Sequence, residues 1–172
     1  MRITKIIISS LLAVVVLLVT ISSIFPSFEY TNNVTIHSSK EVCWETMTNP
    51  ATLHRWISGL ETYKLISGEH LKPGGTYSMT IVEGDEKMEM IQRIEDVKPP
   101  SEIRYFLTND VLTSDYTYSL NEAGGTTTLQ AHYRITGNSV FWSAILRLSK
   151  GVIRSQSQTD LDRLKKMIES NK

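Results

Sequence analysis

The C-terminal fifth of the chain, residues 138–171, contains no proline and carries apolar residues at helical spacing. Phe141, Ile145, Leu148 and Val152 recur at intervals of four, three and four, and Ile153, Leu161, Leu164 and Ile168 continue the stripe after an offset. This periodicity predicts a helix with one buried face. Asn138 or Ser139 stands where an N-cap belongs. A glycine inside a helix costs about 1 kcal/mol relative to alanine. The segment therefore reads as one long helix, or as two joined near Gly151. Arg154 to Asp160 is polar throughout and interrupts the stripe, so that turn faces either water or a cavity.

What such a helix covers is written upstream. Phe28 to Ile36 is rich in strand formers. Ser38 precedes Glu41 at the capping-box spacing and starts a short helix. Asn49 and Pro50 start a second, with asparagine as cap and proline at the first helical position; it carries Leu53, Trp56 and Ile57. From Glu61 to Gly137 the chain alternates strand and turn. Tyr77, Met79 and Ile81 share one face, as do Met88, Met90, Gln92 and Ile94, then Ile103, Tyr105 and Leu107, then Tyr116, Tyr118 and Leu120. In the last strand Thr127, Leu129, Ala131, Tyr133 and Ile135 line one face, and Gln130, His132 and Arg134 the other. Five or six antiparallel strands after two short helices make an α+β domain. One apolar sheet face must be covered, and the C-terminal helix is the only large cover available. A sheet curved around one helix leaves space between them, and binding pockets form in such concave places.

Residues 6–25 are uncharged for twenty positions, long enough to cross a bilayer core as a helix. Arg2 and Lys5 precede them and no further basic residue occurs before Lys40. That asymmetry predicts a cytoplasmic N-terminus and an extracytoplasmic remainder. The competing reading is a cleaved signal peptide, with a shorter apolar core and a small-x-small site; Ile24-Phe25-Pro26 after two serines matches it poorly. The expected division is an anchor over residues 1–27 and one domain over residues 28–172. Setting Arg2 and Lys5 aside from the 18 basic residues leaves 16 against 18 acidic ones. With no basic block, nucleic acid is not an expected partner. The single cysteine, Cys43, cannot form an intrachain disulfide and reads as a small buried hydrophobe.

Four stretches in this order, IHSSKEVCWETMTNP, ATLHRWISGLETYKLISG, LKPGGTYSM and IEDVKPPSEIRYFL, resemble the START-like superfamily, in particular its polyketide cyclase/dehydrase-like branch, also called SRPBCC or Bet v 1-like. The resemblance covers roughly Phe28 to Glu169. It implies a helix-grip fold, a seven-stranded antiparallel sheet wrapped around a long C-terminal helix with an internal cavity. It also implies lipids, sterols, hormones or polyketides as ligands, with cyclisation or dehydration in a minority of members. It supplies no family-wide catalytic motif.

No two histidines stand at metal-pair spacing, and no cofactor motif is present. Gly74-Gly75 and Gly124-Gly125 read as hairpin devices. His54 and His132 read as surface residues, and His37 and His70 lie in turns. Large adaptable side chains dominate the inner faces: Trp56, Tyr77, Met79, Met88, Met90, Tyr105, Tyr116, Tyr118, Tyr133 and Trp142. Methionine fits irregular space, and tyrosine offers a ring and a hydroxyl together. Gln92 shares their register, so its amide needs a partner, which a cavity water or a ligand can supply; Gln156 and Ser157 on the helix can meet the same polar patch. The cavity candidates are these residues apart from Trp142 and Ser157. Three functions remain open: a membrane-tethered binder of a small hydrophobic, lipid-like molecule; a cyclase or dehydratase using cavity polar groups; and an interaction domain with an exposed apolar patch around Trp142.

Overall fold

A computed structural model describes residues 2–24 and 26–170, with part of the side chains of the first helix. The order is α1 (Arg2–Ile24), β1 (Ser27–Ile36), α2 (Lys40–Thr48), α3 (Pro50–Trp56), β2 (Leu60–Ser67), β3 (Thr76–Glu83), β4 (Glu86–Lys98), β5 (Glu102–Thr108), β6 (Leu112–Ala123), β7 (Thr126–Gly137), α4 (Val140–Leu148) and α5 (Lys150–Glu169). The seven strands form one curved sheet in the order β1-β7-β6-β5-β4-β3-β2, antiparallel throughout. Strands β2 to β7 are a simple meander, and β1 closes the β7 edge. The connection through α2 and α3 therefore carries the chain from one edge of the sheet to the other. This is the helix-grip arrangement expected from the sequence.

Alternation sorts the two faces. On β7, Thr127, Leu129, Ala131 and Ile135 are buried while Gln130, His132 and Arg134 are exposed. On α5, Leu161, Leu164, Met167 and Ile168 are buried against Ile36, Ile103 and Leu129 of the sheet and Trp44 and Met47 of α2. Burying a side chain of this size stabilises the fold by about 1.5–3 kcal/mol. The C-terminal half of α5 thus seals the sheet. Its N-terminal half is tied to the β1 edge instead, where buried Asn32 donates to the Arg154 carbonyl at 2.9 Å and accepts from Arg154 Nε at 3.3 Å. Cys43 is buried.

One local expectation changes and two hold. The cap of α2 is Ser39, whose side chain accepts from the Val42 amide. Ser38 sits one residue too early and is buried, its carbonyl held by Thr127 Oγ1 at 2.7 Å. Asn49 caps α3, with Oδ1 accepting from the Ala51 amide at 2.9 Å. The two C-terminal helices meet at Ser149, and Gly151 lies inside the first turn of α5. This is the second of the two arrangements the sequence allowed, two helices joined near Gly151.

The largest correction concerns α4. Its apolar spacing is helical, yet Phe141, Ile145, Leu148 and Val152 at the start of α5 are 62%, 40%, 65% and 74% exposed. The face turned to the sheet carries Ser143, Ala144 and Leu146. Gly137 explains the choice: a Cβ there would stand 2.3 Å from the Ser143 amide nitrogen. An approach this close admits only small residues at the contact. The cap of α4 is Ser139, which accepts from the Trp142 amide at 3.2 Å. Ser139→Ala is expected to lower stability by about 1 kcal/mol, read as a shifted urea midpoint at unchanged slope.

The expected anchor over residues 6–25 falls partly outside the described residues. Among the described residues no helix is long and apolar enough to cross a membrane.

Candidate functional site

Between the inner face of the sheet, α3 and the N-terminal half of α5 lies a cavity of about 290 Å³. Its walls follow from strand register. Tyr30, Tyr133, Tyr116 and Tyr105 are direct cross-strand neighbours on β1, β7, β6 and β5. Their rings stack in sequence, with centroids 4.8, 5.7 and 5.0 Å apart. A second stack, Tyr63 on Tyr77 at 4.6 Å, stands on β2 and β3. Stacked pairs of this kind add about 0.5–1.5 kcal/mol each beyond burial.

Gln92 joins the two stacks. Tyr63 donates to its Oε1 at 2.5 Å, and its Nε2 donates to the Tyr116 hydroxyl. The amide predicted to need a cavity water or a ligand as partner thus finds two tyrosines. Gln92→Leu leaves both hydroxyls without that partner. It is expected to destabilise the domain by about 2 kcal/mol, measured by chemical denaturation.

The polar groups gather where α5 passes α3. Ser58 donates through its hydroxyl and its amide to Asp160 Oδ1, and Gln156 Nε2 donates to Ser58 Oγ at 2.5 Å and to Asp160 at 3.2 Å. Arg163 donates to Ser58 Oγ and stands 3.8 Å from the carboxylate. Burial pushes the Asp160 carboxyl up, against the bonds from Ser58 and Gln156 and the charge of Arg163. Nearby, the Tyr30 hydroxyl pairs with Ser157 Oγ at 2.9 Å. At the β3 side, His70 Nδ1 lies 2.8 Å from the Tyr77 hydroxyl. Tyr118 and Tyr133 share a hydrogen bond of 3.2 Å. Burial raises the phenols of Tyr105, Tyr116 and Tyr118 well above the ordinary tyrosine range. Apart from Thr48 and Ser114 the rest of the lining is apolar, including Leu53, Ile57, Leu71, Ile94, Leu107 and Ile135.

Of the residues predicted from sequence, the cavity gathers Trp56, Tyr77, Met79, Met90 and Gln92 with Tyr105, Tyr116, Tyr118 and Tyr133. Met88 is outside it and 41% exposed. The reason is pairing: β4 meets β5 only from Ile91 onward, so Met88 projects past the neighbouring strand on the β3–β4 hairpin. Gln156 is exposed and acts through Ser58 and Asp160 without lining the cavity itself. Sequence reasoning missed Tyr63, Ser58, His70, Ser114 and Asp160, all in the lining. The polar break Arg154–Asp160 was the one signal for Asp160. It serves both of the surfaces it allowed: Gln156 faces water, and Ser157 and Asp160 face the cavity. Among the described residues no cluster of His, Cys, Asp and Glu could hold a metal ion.

A family model described as polyketide cyclase/dehydrase and lipid transport matches residues 27–169. The chain belongs to that family. The START-like resemblance drawn from its sequence points to the same place. Among solved structures, a conserved protein from Geobacillus kaustophilus superimposes on this chain with a TM-score of 0.70 at 18% identity, covering 83% of this chain and 96% of the other. The Zhui aromatase/cyclase from Streptomyces sp. R1128 gives 0.70 at 12% identity, over 83% and 94% of the two chains. Ara h 8.0201 gives 0.67 at 12% identity, over 84% and 99%. At such identities the likeness is one of fold. No curated protein matches the chain.

Proposed function

We propose that this chain is a membrane-anchored, extracytoplasmic domain that binds one small, mainly apolar molecule carrying a polar group. The observation that carries the reading is the cavity of about 290 Å³, apolar and tyrosine-lined along the sheet and polar where Ser58 and Asp160 meet. Its size lies at the lower end of small-molecule sites. It is about twice that of a cavity that holds benzene, so the guest is a two-ring compound or a medium-length acyl chain rather than a whole phospholipid. The family's description, which includes lipid transport, supports this ligand class. The anchor rests on the uncharged run of residues 6–25 behind Arg2 and Lys5.

Binding fits the geometry better than cyclisation or dehydration. A general acid or base acts from within hydrogen-bond reach of the substrate proton it moves. Here His70 is engaged with Tyr77, and Asp160 with Ser58, Gln156 and Arg163. Native mass spectrometry of the full chain, released from detergent in the presence of decanoate or 2-naphthol, tests the reading. The expected result is one adduct per chain with at least one of the two probes; no adduct with either would refute it.

A further inference from the structure

The four large apolar side chains of the α4 stripe remain outside both hydrophobic clusters. Phe141, Ile145, Leu148 and Val152 are 40–74% exposed, and Val140 adds another 39%. Soluble surfaces seldom leave so contiguous an apolar stripe open. Two observations say what lies beside it. First, α1 contacts α4, and the stripe is exposed with α1 in place. Second, only residues 25 and 26 separate the end of α1 from β1, and Arg147 of α4 donates to the Ser27 carbonyl at 2.9 Å. The point where α1 ends is therefore fixed beside α4. Helix α1 itself exposes Leu12, Val14, Val15, Val16 and Leu17. The two helices touch and each presents an apolar surface, and one of them belongs to an uncharged run of twenty residues. One surface covers both at once, the acyl-chain margin of a bilayer.

We propose that α4 is an interfacial helix, docked on the outer face of the membrane with Phe141, Ile145, Leu148 and Val152 against lipid. A short helix with one strongly apolar face lies in the interface plane in this way. The inference goes beyond the ligand-binding reading and rests only on its anchor. It also gives the cavity a direction. The inner side of α4 packs Leu146 and Trp142 on Ile135 and Leu112, and those two residues line one end of the cavity. A single helix then stands between the bilayer and the guest, so an apolar ligand passes from lipid to cavity without crossing water.

The test uses the full chain with single cysteines replacing Phe141, Leu148 or Val152, and a control at exposed Gln130 on the outer sheet face. Each is spin-labelled and reconstituted in vesicles of phosphatidylcholine and phosphatidylglycerol; Cys43 is buried and stays unlabelled. All three test positions are more than 60% exposed, so the labels leave the fold intact. The expected result is a ratio of oxygen to water-soluble nickel-complex accessibility on the order of tenfold higher at the three sites than at Gln130. Labels as open to nickel as Gln130, in chain that floats with the vesicles, overturn the docking alone. Spin–spin broadening between copies at these sites assigns the face to a second copy and overturns it as well. Chain that fails to float removes the anchor and the docking together, and leaves the cavity-binding result untouched.

Discussion

Raising the pH past 10 is expected to unfold this domain steeply, with no tyrosine titrating beforehand. All seven tyrosines are pushed above their ordinary value of 10.0, with burial as the leading cause in each. The sign follows from proton binding. Above pH 10 the unfolded chain releases its phenolic protons while the folded chain keeps them. The unfolded state then binds fewer protons, and stability falls as pH rises. The contribution is fully present below pH 10 and is lost between the ordinary value and the raised one. Each buried phenol costs about 1.4 kcal/mol per pH unit in that window. Tyr105 and Tyr118, 8% and 9% exposed, alone remove roughly 3 kcal/mol per unit by this arithmetic, and the other five add to it. A domain stable by roughly 10 kcal/mol is exhausted within about one to three units. Phenolate absorbance and the far-ultraviolet dichroism should therefore change together, at one midpoint. Phenolate appearing at pH 10 with the dichroism intact would show that the tyrosine rows are open to water.

The tyrosines also show what was legible in the chain and what was not. Alternation placed Tyr105, Tyr116, Tyr118 and Tyr133 on the inner face, because a strand's period leaves only two choices and the apolar neighbours decide between them. It did not show that register sets four tyrosines on adjacent strands side by side, since pairing offsets are set by turns and bulges. Ser114 continues the inner series of β6, two residues before Tyr116, and is buried. A small polar residue at that position was an unread mark of room. Ser58 and His70 come from loops that meet the sheet only in space, and Tyr63 stands on a strand that is mostly exposed. Periodicity has no purchase on any of them. Helix α4 failed for a different reason. Helical spacing identifies an apolar face, not what covers it. The close contact at Gly137 turned the small-residue side inward and left Phe141 and Leu148 out.

Ser114→Phe is expected to weaken guest binding by about a hundredfold while the domain stays folded, which separates the cavity's use from its contribution to stability. Ser114 is buried on β6, lines the cavity, and pairs with Leu107 and Ile135, which line it too. A phenyl ring at this position points into the void. A cavity of about 150 Å³ is what benzene occupies, so the ring takes roughly half of the 290 Å³ present. The strand itself tolerates the change, since phenylalanine favours extended backbone. Any misfit in a partly empty site should stay within the usual cost of overpacking, about 1–3 kcal/mol. Affinity for decanoate or 2-naphthol should fall by about a hundredfold, equivalent to about 2.7 kcal/mol. Thr117→Phe is the control: it points from the same strand to the outer face and should leave the affinity unchanged. Ligand bound as tightly by Ser114→Phe as by the parent chain would place the guest outside this cavity. Loss of binding in both variants would mean that the sheet, not the void, had been disturbed.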